Sequence, residues 1–518
     1  MDTKALRQKI LDLAIRGKLV PQDTNDEPAS VLLEKIREQK QQMFKEGKLK
    51  KKDIKNDSII FKGEDNLHYE KFQDGTVKCI EDEIPFELPE GWAWERLSNL
   101  ALFSGGKTPS TSHSEYWDGD ILWVTSKDMK SKYITSSQLC LSTLGAKQMR
   151  IYQPNTLLLV TRSGILRHTL PVAILKECAT INQDLKAIVL YMPQLAEYIY
   201  VCLKGMEARL LLKYIKSGTT VESVNFDEFQ KVLLPIPPTQ QIDRIISSTG
   251  GTECIVSTIE DSKVALADYV TKAKAKVLDL AIRGKLVPQN PDDEPASILL
   301  ERIRAEKEEL IKQGKIKRDK KESIIFKGED NSYYFDIPDS WSLCLLKDLF
   351  NVCSAKRVRQ SDWRTEGVPF YRAREIVKLS DNGFVDNDLF ISEEHYMRVK
   401  AECGVPEPGD LIVSGVGTIG KVYVVNADDR FYYKDASVLC FENRTGAIDS
   451  QFARYMLESE FIQAQMKDNS KGTTVDTITI SAAMEYICVL PPLAEQKRIV
   501  SAIKTAFIHL KSISEALT

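Results

Sequence analysis

Twelve residues occur twice without a change, LDLAIRGKLVPQ at Leu11–Gln22 and again at Leu278–Gln289, 267 positions apart. The same spacing holds through Asp26–Ser30 against Asp293–Ser297 (DEPAS) and through VLLEKIR against ILLERIR. SIIFKGEDN then recurs at Ser58–Asn66 and Ser323–Asn331, 265 positions apart. Further on, Gly218–Val221 pairs with Gly472–Val475 and Pro237-Pro238 with Pro491-Pro492, both at a spacing of 254. A period of half a 518-residue chain is a duplicated unit, far longer than the roughly 20–50 residues of solenoid repeats. A chain of this length also exceeds what one hydrophobic core holds, and length alone predicts three or four domains.

The repeated pieces read as helices. Positions Ile245, Thr249, Thr252, Val256, Ile259, Lys263, Leu266, Val270, Ala273, Val277 and Leu280 follow a seven-residue rhythm, which predicts a long helix packed on a partner. Gly250-Gly251 weakens its first third. The rhythm returns without a weak point from Ile499 through Ile503, Ala506, Leu510 and Ile513 to Leu517. Gly17 and Gly284 are placed as helix stops, each followed by proline four residues on. A second helix is expected from Pro28 and again from Pro295. Thr518 aligns with Val264, and Met1 with Asp268. The chain is therefore expected to form a nearly closed, pseudo-two-fold ring, in which Leu493–Thr518 and Asp2–Arg16 together partner a continuous helix over about Thr239–Arg283.

Between these struts lie two segments of low mutual identity, rich in short β-type runs such as TLLLVTR and KAIVLY, or DLIVSG and KVYVV. Each opens on an aromatic–proline lead-in and ends in Gly-Thr-Thr-Val, a helical stretch and Pro-Pro. The expected fold class is α/β (α+β): two globular domains joined by long antiparallel coiled-coil helices. The divisions are 1–83 (helical, completing the C-terminal helix), 84–238 (first variable domain), 239–336 (central repeat region), 337–492 (second variable domain) and 493–518 (C-terminal helix).

Composition bounds the function. The formal charge is −3, which neither advertises nor excludes a nucleic-acid face, because a basic surface can be offset elsewhere. No apolar run approaches the roughly 20 residues of a membrane span. The N-terminal stretch lacks the apolar core of a signal peptide. Ten cysteines form no CxxC pair, and the histidines form no metal constellation, so reduced thiols, a cytoplasmic location and no metal site are expected. Gly105-Gly106-Lys107-Thr108 superficially suggests a phosphate loop, but the motif's first glycine would fall at Ala101 and Pro109 stands where a helix should continue. Gly415–Gly420 is formally GxGxxG, yet KVYVV follows it where a helix should begin, so it reads as a tight turn. No catalytic constellation is visible.

Two divergent domains between repeated helices resemble the specificity subunit of type I restriction–modification systems. The resemblance covers essentially the whole chain. It rests on PPLAEQKRIV at Pro491–Val500 with its weaker copy PPTQQIDRII at Pro237–Ile246, on SGGKTPSTSHSEYWDGDILWVTSKDM (Ser104–Met129), and on GDLIVSGVGTIGKVYVV (Gly409–Val425). It implies a non-catalytic DNA reader in which each domain recognises one half of a split site on double-stranded DNA. It also implies two methyltransferase subunits and restriction (translocase) subunits as partners, with S-adenosylmethionine, ATP and Mg²⁺ on those partners and no cofactor on this chain. A helix of about 45 residues is roughly 65 Å long, enough to hold two readers on one duplex. A reader for a fused methyltransferase–nuclease system, or a helical scaffold that reads no DNA, would share much of this architecture.

DNA contacts are expected where loops follow β-runs. In the first domain these are Gly105, Gly106, Lys107 and Thr108, then Thr125, Ser126 and Lys127, then Arg162 and Ser163. Asn182 and Gln183 join them, since amide side chains can pair bidentately with adenine. In the second domain they are Arg357, Arg359 and Gln360, then Tyr371, Arg372 and Arg374, then Ser414, Thr418 and Lys421. Lys216 and Thr219, with their counterparts Lys471 and Thr473, are shared by both domains and suit backbone contact better than readout. Each position has the alternative of ordinary turn chemistry. Arginine as guanine reader and arginine as phosphate clamp cannot be separated by sequence. The lysine runs Lys48–Lys55 and Lys315–Lys321 fit either phosphate grip or a solvated linker.

Overall fold

A computed structural model describes residues 2–54, 57–216, 221–314, 336–469 and 476–517. The chain divides into two compact units, Met1–Ser262 and Lys263–Thr518. The expected closeness of Met1 to Thr518 and the second lysine run lie outside the described residues, as do Lys55, Thr219, Lys471 and Thr473.

The first unit opens with helices Thr3–Ile15 and Ala29–Lys45. The first ends in a glycine-terminated cap: Gly17 has φ +65°, its N–H donates to the Ala14 carbonyl, and that of Lys18 to Leu13. The second unit repeats this cap at Gly284 (φ +65°), with Lys285 N–H on the Leu280 carbonyl. The second helix buries Leu32, Leu33 and Ile36 in one copy and Leu299, Leu300 and Ile303 in the other. The repeat is thus a repeat of packing as well as of letters.

The central helix is uninterrupted over Thr239–Ile282, its 44 residues running from the first unit into the second. Gly250-Gly251 does not break it. All eleven positions of the seven-residue rhythm are buried or half-buried, while Ile255, Val264 and Tyr269 off that seam are exposed. In the first unit, Arg7 of the opening helix pairs with Glu253 and Glu260 of the central helix at 2.9 and 2.7 Å. In the second unit the C-terminal helix Leu493–Leu517 brings Phe507 beneath Lys274, 5.9 Å from Nζ to ring centroid.

The two variable domains share one sheet order. In the first, strands Ala101–Gly105, Leu185–Leu190, Leu157–Val160 and Val172–Leu175 lie side by side, antiparallel, with Tyr133–Ile134 at the edge. In the second, Asn351–Cys353, Val438–Glu442, Leu411–Ser414 and Val422–Val424 follow in the same order and sense. LLLV and LIVS are wholly buried because helices and a second sheet cover both faces. Each domain's lead-in and exit are zipped together: Ala93–Arg96 pairs with Leu233–Ile236, and Ser342–Leu345 with Ile487–Leu490.

One stretch differs from expectation. Residues 58–79, assigned to a helical region, form the three-stranded sheet Ser58–Lys62, His68–Phe72 and Val77–Cys79. Asn66 (φ +65°) and Gly75 (φ +86°) turn its two hairpins. The Asp74-Gly75 turn is itself a hairpin marker. Arg96 fastens the sheet to the first domain through Glu70 and Glu83, at 2.7 and 2.8 Å.

Candidate nucleic-acid interface

In the first domain the expected contact residues converge on one sheet edge. Gly105 lies opposite Lys186, Val160 opposite Leu185, and Val124 beside Ile181, so the loops that follow or precede these residues emerge together. Backbone bonds tie them: Lys107 N–H to the Ile181 carbonyl (3.0 Å), Asn182 N–H to Val124 (3.0 Å) and Thr161 N–H to Asp184 (2.8 Å). Arg162 bridges to Ser223, which pairs with Lys216. Residues scattered over 111 positions of sequence from 105 to 216 therefore share one rim.

Their roles on that rim differ. Lys107, Lys127, Arg162 and Lys216 are exposed and form no ion pair among the described residues, leaving four cations open to solvent. Gln183 is exposed, and its Oε1 accepts a hydrogen bond from the Thr108 hydroxyl. Asn182, by contrast, is buried: its Oδ1 accepts the Asp184 N–H and its Nδ2 donates to Asp184 Oδ2, both at 3.2 Å. Its amide closes a turn, which accounts for both of its polar ends. Thr125 and Ser163 likewise serve turns, Thr125 donating to Asp128 at 2.8 Å and Ser163 capping the turn that begins at Gly164. Gly106 is required by the fold, since a Cβ there would stand 2.0 Å from the Ile181 carbonyl oxygen. Ser126 is half-buried between Thr125 and Lys127.

The second domain builds the corresponding edge. Lys434 N–H donates to the Tyr371 carbonyl at 2.8 Å, as Asn182 does to Val124, and Gly415 N–H donates to Ser437 at 2.9 Å. Arg357, Arg359 and Gln360 lie exposed beyond strand Asn351–Cys353, and neither arginine has an ion pair among the described residues. Arg372 and Arg374 are held instead. The buried Glu375 accepts from Arg372 Nε (3.0 Å) and Nη2 (3.1 Å) and from Arg374 Nε. Burial alone would raise the Glu375 carboxyl, but hydrogen bonds from both arginines outweigh it and hold the group below the usual carboxylate range. Asp388 receives Arg372 Nη2 at 2.9 Å and Arg374 Nη2 at 3.0 Å. Lys421 is paired with Asp381 at 2.6 Å.

Ser414 cannot reach DNA. It is fully buried, donating to the Thr418 carbonyl at 2.6 Å and accepting from Lys421 N–H at 3.0 Å, and so closes the Gly415–Gly420 turn. Thr418 stands exposed at its tip, and Tyr371 packs its ring on Phe431 at 4.9 Å. Lys434 was not among the expected contacts. It occupies the place of Asn182 and forms no ion pair among the described residues. Aligning FYYKDASVLCF with ATINQDLKAIVL would have found it.

No group of three His, Cys, Asp or Glu side chains is arranged to hold a metal ion among the described residues. None of the described helices is long and apolar enough to cross a membrane.

Comparison with known proteins also finds a duplicated unit. The family model for the type I restriction modification DNA specificity domain matches twice, over residues 89–249 and 338–516. The chain is 26% identical to the type I restriction enzyme EcoAI specificity subunit of Escherichia coli, over 96% of this chain and 88% of that one. It is 27% identical to the EcoEI specificity subunit of the same organism, covering 97% and 89%. A solved chain from a study of type I R-M system assembly shares the fold, with TM-score 0.51 and 15% identity over 84% of this chain and 94% of that one. The two matched segments contain both sheets and both candidate edges, and the chain belongs to the type I restriction–modification DNA specificity family.

Proposed function

We propose that this chain is the specificity subunit of a type I restriction–modification complex and that each variable domain reads one part of a split DNA site. The observation that carries this reading is the pair of sheets whose four shared strands follow one order but whose edges differ chemically: Thr125 and Asn182 in one domain stand where Arg372 and Lys434 stand in the other. Two readers of one topology and unlike side chains suit an asymmetric, two-part site. Unpaired cations at both edges suit the phosphate backbone, which fixes position, and exposed polar side chains such as Gln183 and Thr418 remain available for bases.

In this reading the chain performs no chemistry. Methyltransferase subunits would bring S-adenosylmethionine, and restriction subunits would bring ATP and Mg²⁺. Exposed Ile255, Val264 and Tyr269 on the central helix offer apolar positions for helical partners.

The test is to co-express the chain with its methyltransferase partner and map adenine methylation across a genome. A split motif is expected, and methylation without sequence preference would leave only a scaffold role. Because lead-in and exit strands are zipped together in each domain, residues 84–238 are the natural unit to exchange for a relative's domain. That exchange should replace one half of the motif. Alteration of both halves would rule out modular reading.

A further inference from the structure

The arginines of the second edge fall into two physical classes. Arg357 and Arg359 are exposed and unpaired among the described residues, free to follow a phosphate wherever it lies. Arg372 is fixed. It follows strand Val368–Tyr371 and caps the helix Ala373–Asn382, and its own N–H, its Nε and its Nη2 all donate to Glu375, which is only 2% exposed. A guanidinium clamped along one side by a buried carboxylate loses little freedom on binding and presents its remaining N–H groups in one direction. Phosphate grip does not need such fixation; bidentate recognition of a base edge does.

We propose that Arg372 is the guanine-reading side chain of the second domain, with Glu375 as its positioning residue and Asp388 as a placeholder that DNA displaces. Asp388 accepts one N–H of the fork, Arg372 Nη2 at 2.9 Å, on the side left open by Glu375, and bridges it to Arg374 Nη2 at 3.0 Å; a guanine O6 or N7 would take its place there. Its side chain is 72% exposed, so it can swing aside, whereas Glu375 cannot. The location agrees as well. Arg372 corresponds to Thr125 of the first domain, so the two edges differ at this position, as readers of different bases should.

The inference rests on the proposed DNA-reading role, and the test separates the two. The complete complex carrying the unaltered chain is first mapped for its methylation motif; failure to find any motif would sink the reading itself. Arg372→Lys keeps the charge and removes the fork. One G·C pair in the second domain's half should then become degenerate, its preference falling about tenfold, with the other half intact. Glu375→Gln should loosen the same pair to a lesser degree. An unchanged motif in Arg372→Lys, or an equal fall at every site with the motif preserved, would make Arg372 a phosphate contact and overturn the proposal. Asp388→Asn guards against a misassembled lysine variant. It should bind a duplex bearing the mapped motif more tightly with the motif unchanged, and weaker or equal binding would refute the placeholder.

Discussion

The indole N–H of Trp341 donates to Oε2 of Glu495 at 3.0 Å, and both side chains are buried. Gln289, the last residue of the repeated dodecamer, donates to the other carboxylate oxygen at 2.6 Å, and Arg498 pairs with Asp293 alongside at 2.6 Å. The first unit builds a related latch with Gln241 in the place of Glu495: Trp92 donates to Oε1 of Gln241 at 3.0 Å and to Oε1 of Gln22 at 3.3 Å, and Arg244 pairs with Asp26. The latch fastens each variable domain's lead-in to the start of the helix that follows its exit.

Burial raises the Glu495 carboxyl above the ordinary glutamate range, against the hydrogen bonds from Trp341 and Gln289. A carboxyl raised in the folded state contributes stability that is complete below its unfolded value and is lost as pH rises through the folded one. Glu495→Gln copies the first latch and cannot titrate. Thermal unfolding at pH 5 and pH 8 should show a smaller fall in stability across that interval for the variant than for the unaltered chain. An equal fall would remove Glu495 from the pH response.

Gly17 and Gly284 are fixed by geometry and by neighbours. Both have φ +65°, and an added Cβ would lie 2.6 Å from Pro89 Cγ at the first and 2.3 Å from Pro338 Cγ at the second. Gly47 has a similar φ of +72° with nothing within 4 Å of such a Cβ. Gly47→Ala should cost about 1 kcal/mol from backbone strain alone. Gly17→Ala should cost about 2–3 kcal/mol, because the clash with the proline adds to that strain. Urea unfolding of the two variants checks the difference, and equal losses would mean the lead-in shifts freely.

Glu95 lies almost wholly buried at the first domain's lead-in, accepting from Asn99 Nδ2 at 2.7 Å and from Arg96 N–H at 2.9 Å. Burial pushes its carboxyl up to about 7, with those hydrogen bonds opposing. The protonated form is the one the fold prefers, so stability is full below about pH 4.5 and declines as pH rises towards 7. Ionisation there costs on the order of 3 kcal/mol. Glu95→Gln keeps an acceptor for both donors and carries no charge. At pH 8 it should unfold at a higher temperature than the unaltered chain, and near pH 5 the two should coincide. A variant less stable at both values would place the carboxylate in a role that glutamine cannot fill.

The frame was readable because identical letters at fixed spacing report identical packing. Leu32, Leu33 and Ile36 match Leu299, Leu300 and Ile303 in sequence and in burial. The loops of the edge were readable as strand ends, but the duties within them were not. Whether Asn182 faces a base or closes its own turn depends on Asp184 and Val124, and local letters do not reveal the second of these. Arg372 and Arg359 look alike in sequence; only the folded chain brings Asp388, sixteen positions on, to one of them. The hairpins of 58–79 carry the Asp-Gly marker, but the helical repeats on either side outweigh it in the sequence pattern.

The unpaired cations of the first edge give a final quantitative expectation. Lys107, Lys127 and Arg162 are exposed, lack ion pairs among the described residues, and flank the rim that also carries Gln183. If they hold phosphates, each neutralises about one backbone charge and releases roughly one counterion, so the plot of log affinity against log salt should flatten by about 0.9 per residue removed. Alanine substitution of any one, in the assembled complex, should therefore weaken binding of matched and mismatched duplexes by similar factors and leave the methylation motif unchanged. Fluorescence anisotropy across a salt series measures the slope. A variant with an unchanged slope that alters the motif would turn that residue from a phosphate grip into a base reader, and the division of labour along this edge would have to be redrawn.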